Sequence, residues 1–324
     1  MLWRITGSVF TITALSFPFL ALYNAGAAIF RSTGNSAVSM KVSVLVNAIN
    51  FCGNALCVFV LRMGVAGVAV PTLVSRAVGA VIILSLAAKR DYVLRITPRT
   101  VTRLEGRTVR SILYIGIPSA FENSLFQLGR VLVVSMISLF GTVHISANAV
   151  ANNLDAVGCI VGNAMGLAMI TVVGRCVGAQ DFEQTKHYTK KLLLWDYIAQ
   201  GTVNLLVLLF LNRILGMYTL SPETRALSWT LVMIHNGVAI LLWPAGFVLP
   251  NALRAANDVR FTMVTSILSM IVWRMGLSWI LCVNMGMGAV GVWLAMVVDW
   301  ICRVTCFVIR FASGAWQKSA MKKV

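Results

Sequence analysis

The sequence predicts an all-α membrane protein with about nine transmembrane helices. Of its 324 residues, 59% are hydrophobic and 11% are charged, whereas a soluble domain carries about 25% charged residues. Apolar stretches of about 20 residues, the length that crosses the hydrocarbon layer as a helix, recur along the whole chain. The alternating segments of about ten residues that would predict a membrane β-barrel do not occur in the sequence. These observations favour a helical membrane bundle over a water-soluble fold.

Nine apolar stretches are the predicted spans. Because the first is too long for a signal peptide and lacks a small-residue cleavage site, we interpret it as a spanning helix. The ends of the spans are defined to within about four residues. The spans cover residues 5–30, 41–61, 65–88, 110–140, 145–173, 188–211, 226–253, 261–284 and 288–312.

The net charge of +17 comes from basic residues that lie between the apolar stretches. Such a charge also suits nucleic-acid binding, but lysine and arginine collect in the cytoplasmic loops of membrane proteins. We therefore predict no nucleic-acid partner, a multi-pass protein of the plasma (inner) membrane, and a cytoplasmic C-terminus. With nine spans, the first residue of the chain then lies outside. The basic loops contain Arg31, Lys41, the 89–110 stretch, Arg175, Lys186, Lys190, Lys191, Arg254 and Arg260.

The longest polar stretch, residues 89–110, is the predicted linker between two lobes. It contains Pro98 and a run of arginines at helical spacing. On a helix these arginines share one face, which would lie on anionic lipid headgroups. A solvated loop is the alternative, and the sequence does not separate the two.

One element occurs twice in the chain. Residues 29–35 read IFRSTGN and residues 252–258 read ALRAAND; farther on, MGVAGV at 63–68 matches MGAVGV at 287–292, one residue out of step. Arg31 and Arg254 both lie in basic loops, so both copies cross the membrane in the same direction. Parallel repeats of this kind are typical of transporters with two lobes around a central cavity.

Polar residues at membrane depth usually face a cavity or one another. The second span carries Asn50 and Asn54 one turn apart, and the third carries Thr72 near mid-depth. Their neutral oxygens suit a cation, which makes this group a candidate Na⁺ site. The alternative is hydrogen bonding between helices, which uses the same side chains.

Glu122, after Pro118 in the fourth span, is the first candidate for ion coupling. A low dielectric favours the protonated form of a carboxyl group, so Glu122 can load and release a proton. The alternative is a structural ion pair with Arg130, two turns along the same helix.

Asp155 in the fifth span and His235 in the seventh are further cavity candidates. Histidine changes its charge near physiological pH, although a lone membrane histidine more often serves as a hydrogen-bonding residue, and Asp155 suits the outer interface equally well. Asp299 and Arg303, four residues apart, predict a salt bridge. The seven cysteines form no CxxC pair, and we interpret them as small buried hydrophobes.

Enzymatic motifs are absent from the sequence, which has no Walker loop, GxSxG, HExxH or dinucleotide fingerprint. We therefore expect a protein that is not an enzyme and has no cofactor. Its energy is expected to come from an ion gradient.

Taken together, these motifs resemble the multidrug and toxic compound extrusion (MATE) family of transporters. The resemblance rests on AIFRSTGNS (28–36), NALRAANDV (251–259), GIPSAFENSLFQLGR (116–130) and VVGRCVGAQDFEQTKHY (172–188). It implies twelve helices in two six-helix lobes. In this alignment the chain starts at the family's fourth helix. Residues 1–88 then resemble a partial amino-terminal lobe of three helices, 89–110 the cytoplasmic basic linker, and 111–324 a complete carboxy-terminal lobe of six.

The resemblance implies H⁺- or Na⁺-coupled antiport of amphipathic cationic compounds by alternating access, by a monomer in the lipid bilayer. Some members bind the ion through an Asn, an Asp and a Thr of the amino-terminal lobe. Asn50, Asn54 and Thr72 match that spacing, with Asn54 in place of the Asp and no counterpart of a further Asp on the family's first helix. Other members use a Glu and an Asp of the carboxy-terminal lobe. Glu122 approximates the Glu, whereas the Asp has no match in this chain, and His235 and Asn236 are the nearest polar substitutes.

Two other functions stay open at this point. A lipid-linked oligosaccharide flippase of the same superfamily would need a cationic cavity, for which Arg76, Arg130 and Arg274 are candidates. Alternatively, the chain transports nothing and serves as a membrane fragment or interaction partner.

Overall fold

A computed structural model of the chain describes residues 2–64, 66–88 and 105–321, with side chains from residue 7 onward except at 8 and 66. The described residues form helices and turns, without a strand. They divide into two compact units, Met1–Gly106 and Arg107–Val324. Residues 89–104 of the predicted linker lie outside the described ranges, so the linker and its arginine face stay predictions.

The first unit contains three long helices, in which α1 and α2 both pack on α3. Phe30, Val42, Ile83 and Ala87 form its buried core. The helices are α1 (Leu2–Ser32), α2 (Ser36–Ala55), which continues as a π-helical segment (Leu56–Val60), and α3 (Ala66–Ala87).

The second unit is built around the segment Pro222–Ala255. In this segment 56% of the most apolar stretch is buried, against 28% of the corresponding stretch of Ile160–Gly178. The segment therefore occupies the centre of the unit. The helices are α4 (Gly106–Ser138), α5 (Thr142–Gly158), α6 (Ile160–Gly178), α7 (Phe182–Leu209), α8 (Leu211–Gly216), α9 (Pro222–Trp243), α10 (Leu249–Ala255), α11 (Val259–Ser269), α12 (Gly288–Ala312) and α13 (Trp316–Met321). Three further segments are π-helical: Pro244–Val248, Met270–Leu277 and Ile280–Asn284.

The predicted fold class is confirmed. Within the described ranges, eight helical segments are long and apolar enough to cross a membrane. The remaining predicted span, at 110–140, is the 33-residue helix α4. It falls outside that set because Glu122, Asn123 and Arg130 lower its hydropathy, and all three line a cavity.

The predicted span 145–173 differs from the structure, which has two helices, α5 and α6, meeting at Cys159. The Asn204 side-chain amide of α7 donates a hydrogen bond of 3.0 Å to the carbonyl of Gly158 at this junction. A side chain that bonds to a helical carbonyl disturbs the helix at that point. A Cβ on Gly158 would lie 2.5 Å from the Asn204 amide oxygen, so a residue without a side chain permits this approach.

The two sequence copies adopt the same backbone turns. After α1 the N–H of Asn35 donates to the carbonyl of Phe30 at 2.9 Å, and after α10 the N–H of Asp258 donates to the carbonyl of Leu253 at 2.9 Å. Both turns are C-terminal helix caps that require a left-handed residue. The left-handed residues are Gly34, Arg62 and Gly64 in the first copy, and Asn257, Gly286 and Gly288 at the matching positions of the second.

Candidate functional site

The second unit contains an open cavity of ≈ 560 Å³. This volume lies within the range of about 300–1,000 Å³ that is typical of small-molecule sites. Its walls come from α4, α5, α6, α9, α10, α12 and the π-helical segments Pro244–Val248 and Met270–Leu277. The ionisable residues in the wall are Glu122, Arg130, Asp155, Cys159, His235, Arg254, Arg274 and Arg303, and its aromatic residues are Phe126, Trp243, Phe247, Trp293 and Trp300.

Glu122 forms an ion pair with Arg254 across the cavity wall. Its Oε1 lies 2.7 Å from Nη2 of Arg254, whose Nη1 donates to Asn251 at 2.9 Å. The other carboxylate oxygen, Oε2, is buried without a hydrogen-bond partner among the described residues. The alternative partner, Arg130, is eight residues along α4, about 12 Å of helix rise away. Glu122 therefore pairs with Arg254 on another helix, and not with Arg130 on its own helix.

Asp155 and His235, predicted separately, lie within hydrogen-bonding distance of each other in the same cavity. Oδ1 of Asp155 lies 2.8 Å from Nε2 of His235, and the Cys159 thiol donates to the same oxygen at 3.1 Å. The ring of His235 contacts the rings of Trp293 and Trp300 edge-on, at centroid distances of 5.3 and 4.8 Å. Helix packing therefore fixes the imidazole, while Asp155 remains partly exposed to the cavity.

The predicted salt bridge between Asp299 and Arg303 is present at 2.9 Å, with both side chains buried. Arg274 lies 3.9 Å from the same carboxylate and 5.0 Å from the centroid of Phe126. Arg303 also lies over Phe126, at 5.8 Å. One buried carboxylate thus compensates two arginines, which an aromatic face further stabilises.

The amino-terminal candidates Asn50, Asn54 and Thr72 come together in the first unit. Nδ2 of Asn50 donates to Oγ1 of Thr72 at 3.2 Å, and Nδ2 of Asn54 donates to Oδ1 of Asn50 at 3.0 Å. Oδ1 of Asn54 is buried and has no partner among the described residues. Arg76, a candidate for the flippase alternative, donates to Oγ of Ser16 at 2.6 Å. Hydrogen bonds within the cluster and to its neighbours occupy most of its polar atoms, while Oδ1 of Asn54 stays available to a ligand.

Sequence reasoning missed a polar stripe on α7. Asp196, Gln200 and Asn204 are fully buried, and both carboxylate oxygens of Asp196 lack a partner among the described residues. Their four-residue spacing within an apolar span was the available signal, because it places them on one helix face. Cys159 was also missed as a polar contact, since cysteine spacing alone does not reveal a carboxylate one turn earlier.

A family model named MatE matches residues 118–280, which is half of the chain and includes Glu122, Asp155 and His235. The chain belongs to the MatE family.

Relatives of this MatE chain agree with that assignment. It is 26% identical to an uncharacterized transporter, YisQ, of Bacillus subtilis over 98% of this chain and 69% of the relative. It is 25% identical to a probable multidrug resistance protein, NorM, of Thermotoga maritima over 95% of this chain and 66% of the relative. The chain thus spans about two thirds of the length of these relatives.

Solved structures support the fold of the MatE chain. A crystal structure of MATE in complex with MaL6 aligns with a TM-score of 0.84 at 20% identity, over 96% of this chain and 70% of that one. The MatE chain is accordingly a multi-pass membrane protein with a transporter fold.

Proposed function

We propose that the chain takes part in secondary active multidrug efflux, exchanging amphipathic organic cations for H⁺ or Na⁺ by alternating access. The observation that carries this proposal is the ion pair between Glu122 and Arg254 in an aromatic-walled cavity. The printed name of the Thermotoga maritima relative, a probable multidrug resistance protein, supports the multidrug part.

The Glu122 carboxylate is the point at which ion and substrate compete. In the structure its charge is compensated by Arg254. A proton on Glu122 removes the negative charge and releases Arg254, whereas a substrate cation needs the carboxylate in its charged form. Because one carboxylate cannot serve both cations at once, occupancy by H⁺ excludes the drug, which is the requirement for exchange.

The aromatic walls suit the apolar body of an amphipathic cation. Trp243 stacks on Phe247 with ring centroids 4.9 Å apart, and Phe247 meets Trp300 edge-on at 5.6 Å. Aromatic faces attract a desolvated cation by about 2 kcal/mol. Flat apolar surface without directional hydrogen bonds accepts many molecular shapes, which supports broad specificity.

A Na⁺ site in the first unit is the alternative form of coupling. It would use the amide and hydroxyl oxygens of Asn50, Asn54 and Thr72, of which Oδ1 of Asn54 is buried and free of hydrogen bonds among the described residues. Hard cations such as Na⁺ prefer oxygen ligands of this kind. Proton coupling through Glu122 therefore makes efflux depend on the external pH, whereas Na⁺ coupling through Asn54 makes it depend on external Na⁺.

Efflux of a fluorescent organic cation from cells that lack other pumps tests the proposal. Glu122→Gln removes the charge that H⁺ and the substrate share, so ion-driven efflux is expected to fall to background at unchanged expression. Glu183→Gln, in the first turn of α7 and outside the cavity wall, is the matched control and should retain efflux. Full efflux by Glu122→Gln would refute the assignment. Dependence of wild-type efflux on external Na⁺, lost in Asn54→Leu, would assign the coupling ion to the first unit instead.

A second candidate function, flipping of a lipid-linked oligosaccharide, is favoured by the excess of arginine in the cavity. Four arginines line the cavity, together with the two carboxylates of Glu122 and Asp155. A third carboxylate, that of Asp299, pairs with Arg274 and Arg303. Arg130 has no ion-pair partner among the described residues. In this case Arg130→Gln should abolish function while Glu122→Gln has little effect, the reverse of the order expected for cation efflux.

A further inference from the structure

Three side chains with different metal-ligand atoms meet where α5 ends and α6 begins. They are the carboxylate of Asp155, the thiol of Cys159 and the imidazole of His235, and their ligand atoms all lie within 4.8 Å of one another. Asp155 and Cys159 are one helical turn apart, and His235 comes from the central helix α9. All three line the cavity, so an ion in the cavity can reach them.

We propose that Asp155, Cys159 and His235 form a binding site for a divalent transition-metal ion of the zinc class. Three protein ligands with a fourth position open to a cavity is a common zinc arrangement. With metal–ligand distances of about 2.0–2.3 Å, the ligands of a tetrahedral ion lie about 3.3–3.7 Å apart. The contacts of 2.8 Å and 3.1 Å in the structure need to open by about 0.5 Å, and the ligand atoms of Cys159 and His235, which lie within 4.8 Å of each other, need to close by no more than about 1.3 Å.

The ligand types select the class of ion. A thiolate and an imidazole favour Zn²⁺, Co²⁺ or Cu²⁺ over Mg²⁺, Ca²⁺ or Na⁺, which prefer oxygen. The site therefore differs in chemistry from the oxygen-rich cluster of the first unit. On binding, the metal–sulfur bond replaces the S–H bond of Cys159, and the thiol proton leaves to the solvent.

The surroundings of the site orient the histidine for this role. Nδ1 of His235 lies 3.3 Å from Oδ1 of Asn236, which leaves Nε2 pointing at Asp155. A hydrogen bond on the second ring nitrogen is the usual companion of a metal-binding histidine. The edge-on packing against Trp293 and Trp300 holds the ring in that orientation.

The charge balance also suits a divalent cation. One carboxylate and one thiolate neutralise a dication, so the occupied site adds no net charge beside the arginines of the cavity.

Titration of the purified full chain in lipid nanodiscs with Co²⁺ tests the proposal. A thiolate bound to Co²⁺ gives a ligand-to-metal charge-transfer band in the near ultraviolet, which should saturate at one ion per chain and disappear on addition of Zn²⁺. Cys159→Ser should abolish the band. Cys176→Ser, on α6 but outside the cavity wall, should keep it. His235→Gln should weaken Co²⁺ binding by at least about 100-fold, since even the outer partners of metal ligands contribute about 10–100-fold.

Thiol labelling of the wild-type chain makes the test independent of how the variants fold. Zn²⁺ should protect Cys159, and not Cys176, from a maleimide, as read by peptide mass spectrometry. Absence of the band in the wild-type chain, its persistence in Cys159→Ser, or equal labelling of Cys159 with and without Zn²⁺ would each overturn the proposal. Glu122→Gln should bind Co²⁺ as the wild type does, so loss of efflux in that variant and loss of metal binding are separate outcomes.

Discussion

Gly162 is a position at which one added methyl group should be damaging. It lies on α6, one turn after Cys159, and a Cβ there would overlap Oε1 of Gln200 and the indole ring of Trp243. Gln200 is 0% exposed and Trp243 is 8% exposed, so neither side chain has solvent to move into. Overpacking of this kind costs about 1–3 kcal/mol. The gain of about 0.5–1 kcal/mol from replacing a helical glycine by alanine offsets part of it.

We therefore expect Gly162→Ala to destabilise the second unit by about 1.2 kcal/mol, the difference between the midpoints of the two ranges. By the scaling known for soluble domains of about 150–250 residues, this lowers the melting temperature by about 2–5 °C. Tryptophan fluorescence of the detergent-solubilised chain on heating measures it. Gly174→Ala is the matched control on the same helix, because nothing lies within 4 Å of its added Cβ. It should melt at or slightly above the wild type. A Gly162→Ala chain that melts as high as Gly174→Ala would refute the packing described for this junction.

Two further pairs of variants test other contacts by the same melting assay. Arg254→Leu leaves the Glu122 carboxylate without its cation and should destabilise the chain by up to about 3–5 kcal/mol. The double variant Arg254→Leu/Glu122→Leu should restore most of this loss. Equal melting temperatures of the single and the double variant would contradict this expectation. Gly64→Ala and Gly288→Ala both place a side chain at positive φ, which costs about 1–2 kcal/mol. Gly288→Ala should be the worse of the two, because its Cβ also meets the ring of His144, whereas Gly64 has open space; the opposite order would contradict the contact.

Most of the fold was predictable because crossing a bilayer imposes a length and a composition on each helix. The helical segment that α9 and α10 form ends before Val259, and the arginine-containing turn occurs there a second time. Both features follow from the local sequence. The interruption at Cys159 was not predictable. No proline marks it, and it depends on the amide of Asn204, which is 46 residues from Gly158 in the chain.

The candidate residues of the site were predictable, but their pairing was not. Charged and amide side chains are rare in apolar spans, which is why Glu122, Asp155 and His235 could be selected from the sequence. Which cation meets which carboxylate depends on helix packing. Arg254 was assigned to a basic loop by the charge pattern, yet its guanidinium lies against Glu122 on another helix, 132 residues away in the chain.

The π-helical segment Met270–Leu277 explains why the two sequence copies run out of step. From Arg31 to Gly64 the first copy spans 33 positions, and from Arg254 to Gly288 the second spans 34. A π-helix holds more residues per turn than an α-helix. The second copy contains two such segments between its turns, Met270–Leu277 and Ile280–Asn284, where the first contains Leu56–Val60 alone among its described residues. The surplus residue is therefore taken up as a local widening of the helix, and both flanking turns keep their geometry. Arg274, which reaches the cavity, lies on that widened segment, so the single-residue length difference coincides with the place where the second copy acquires a charged cavity wall.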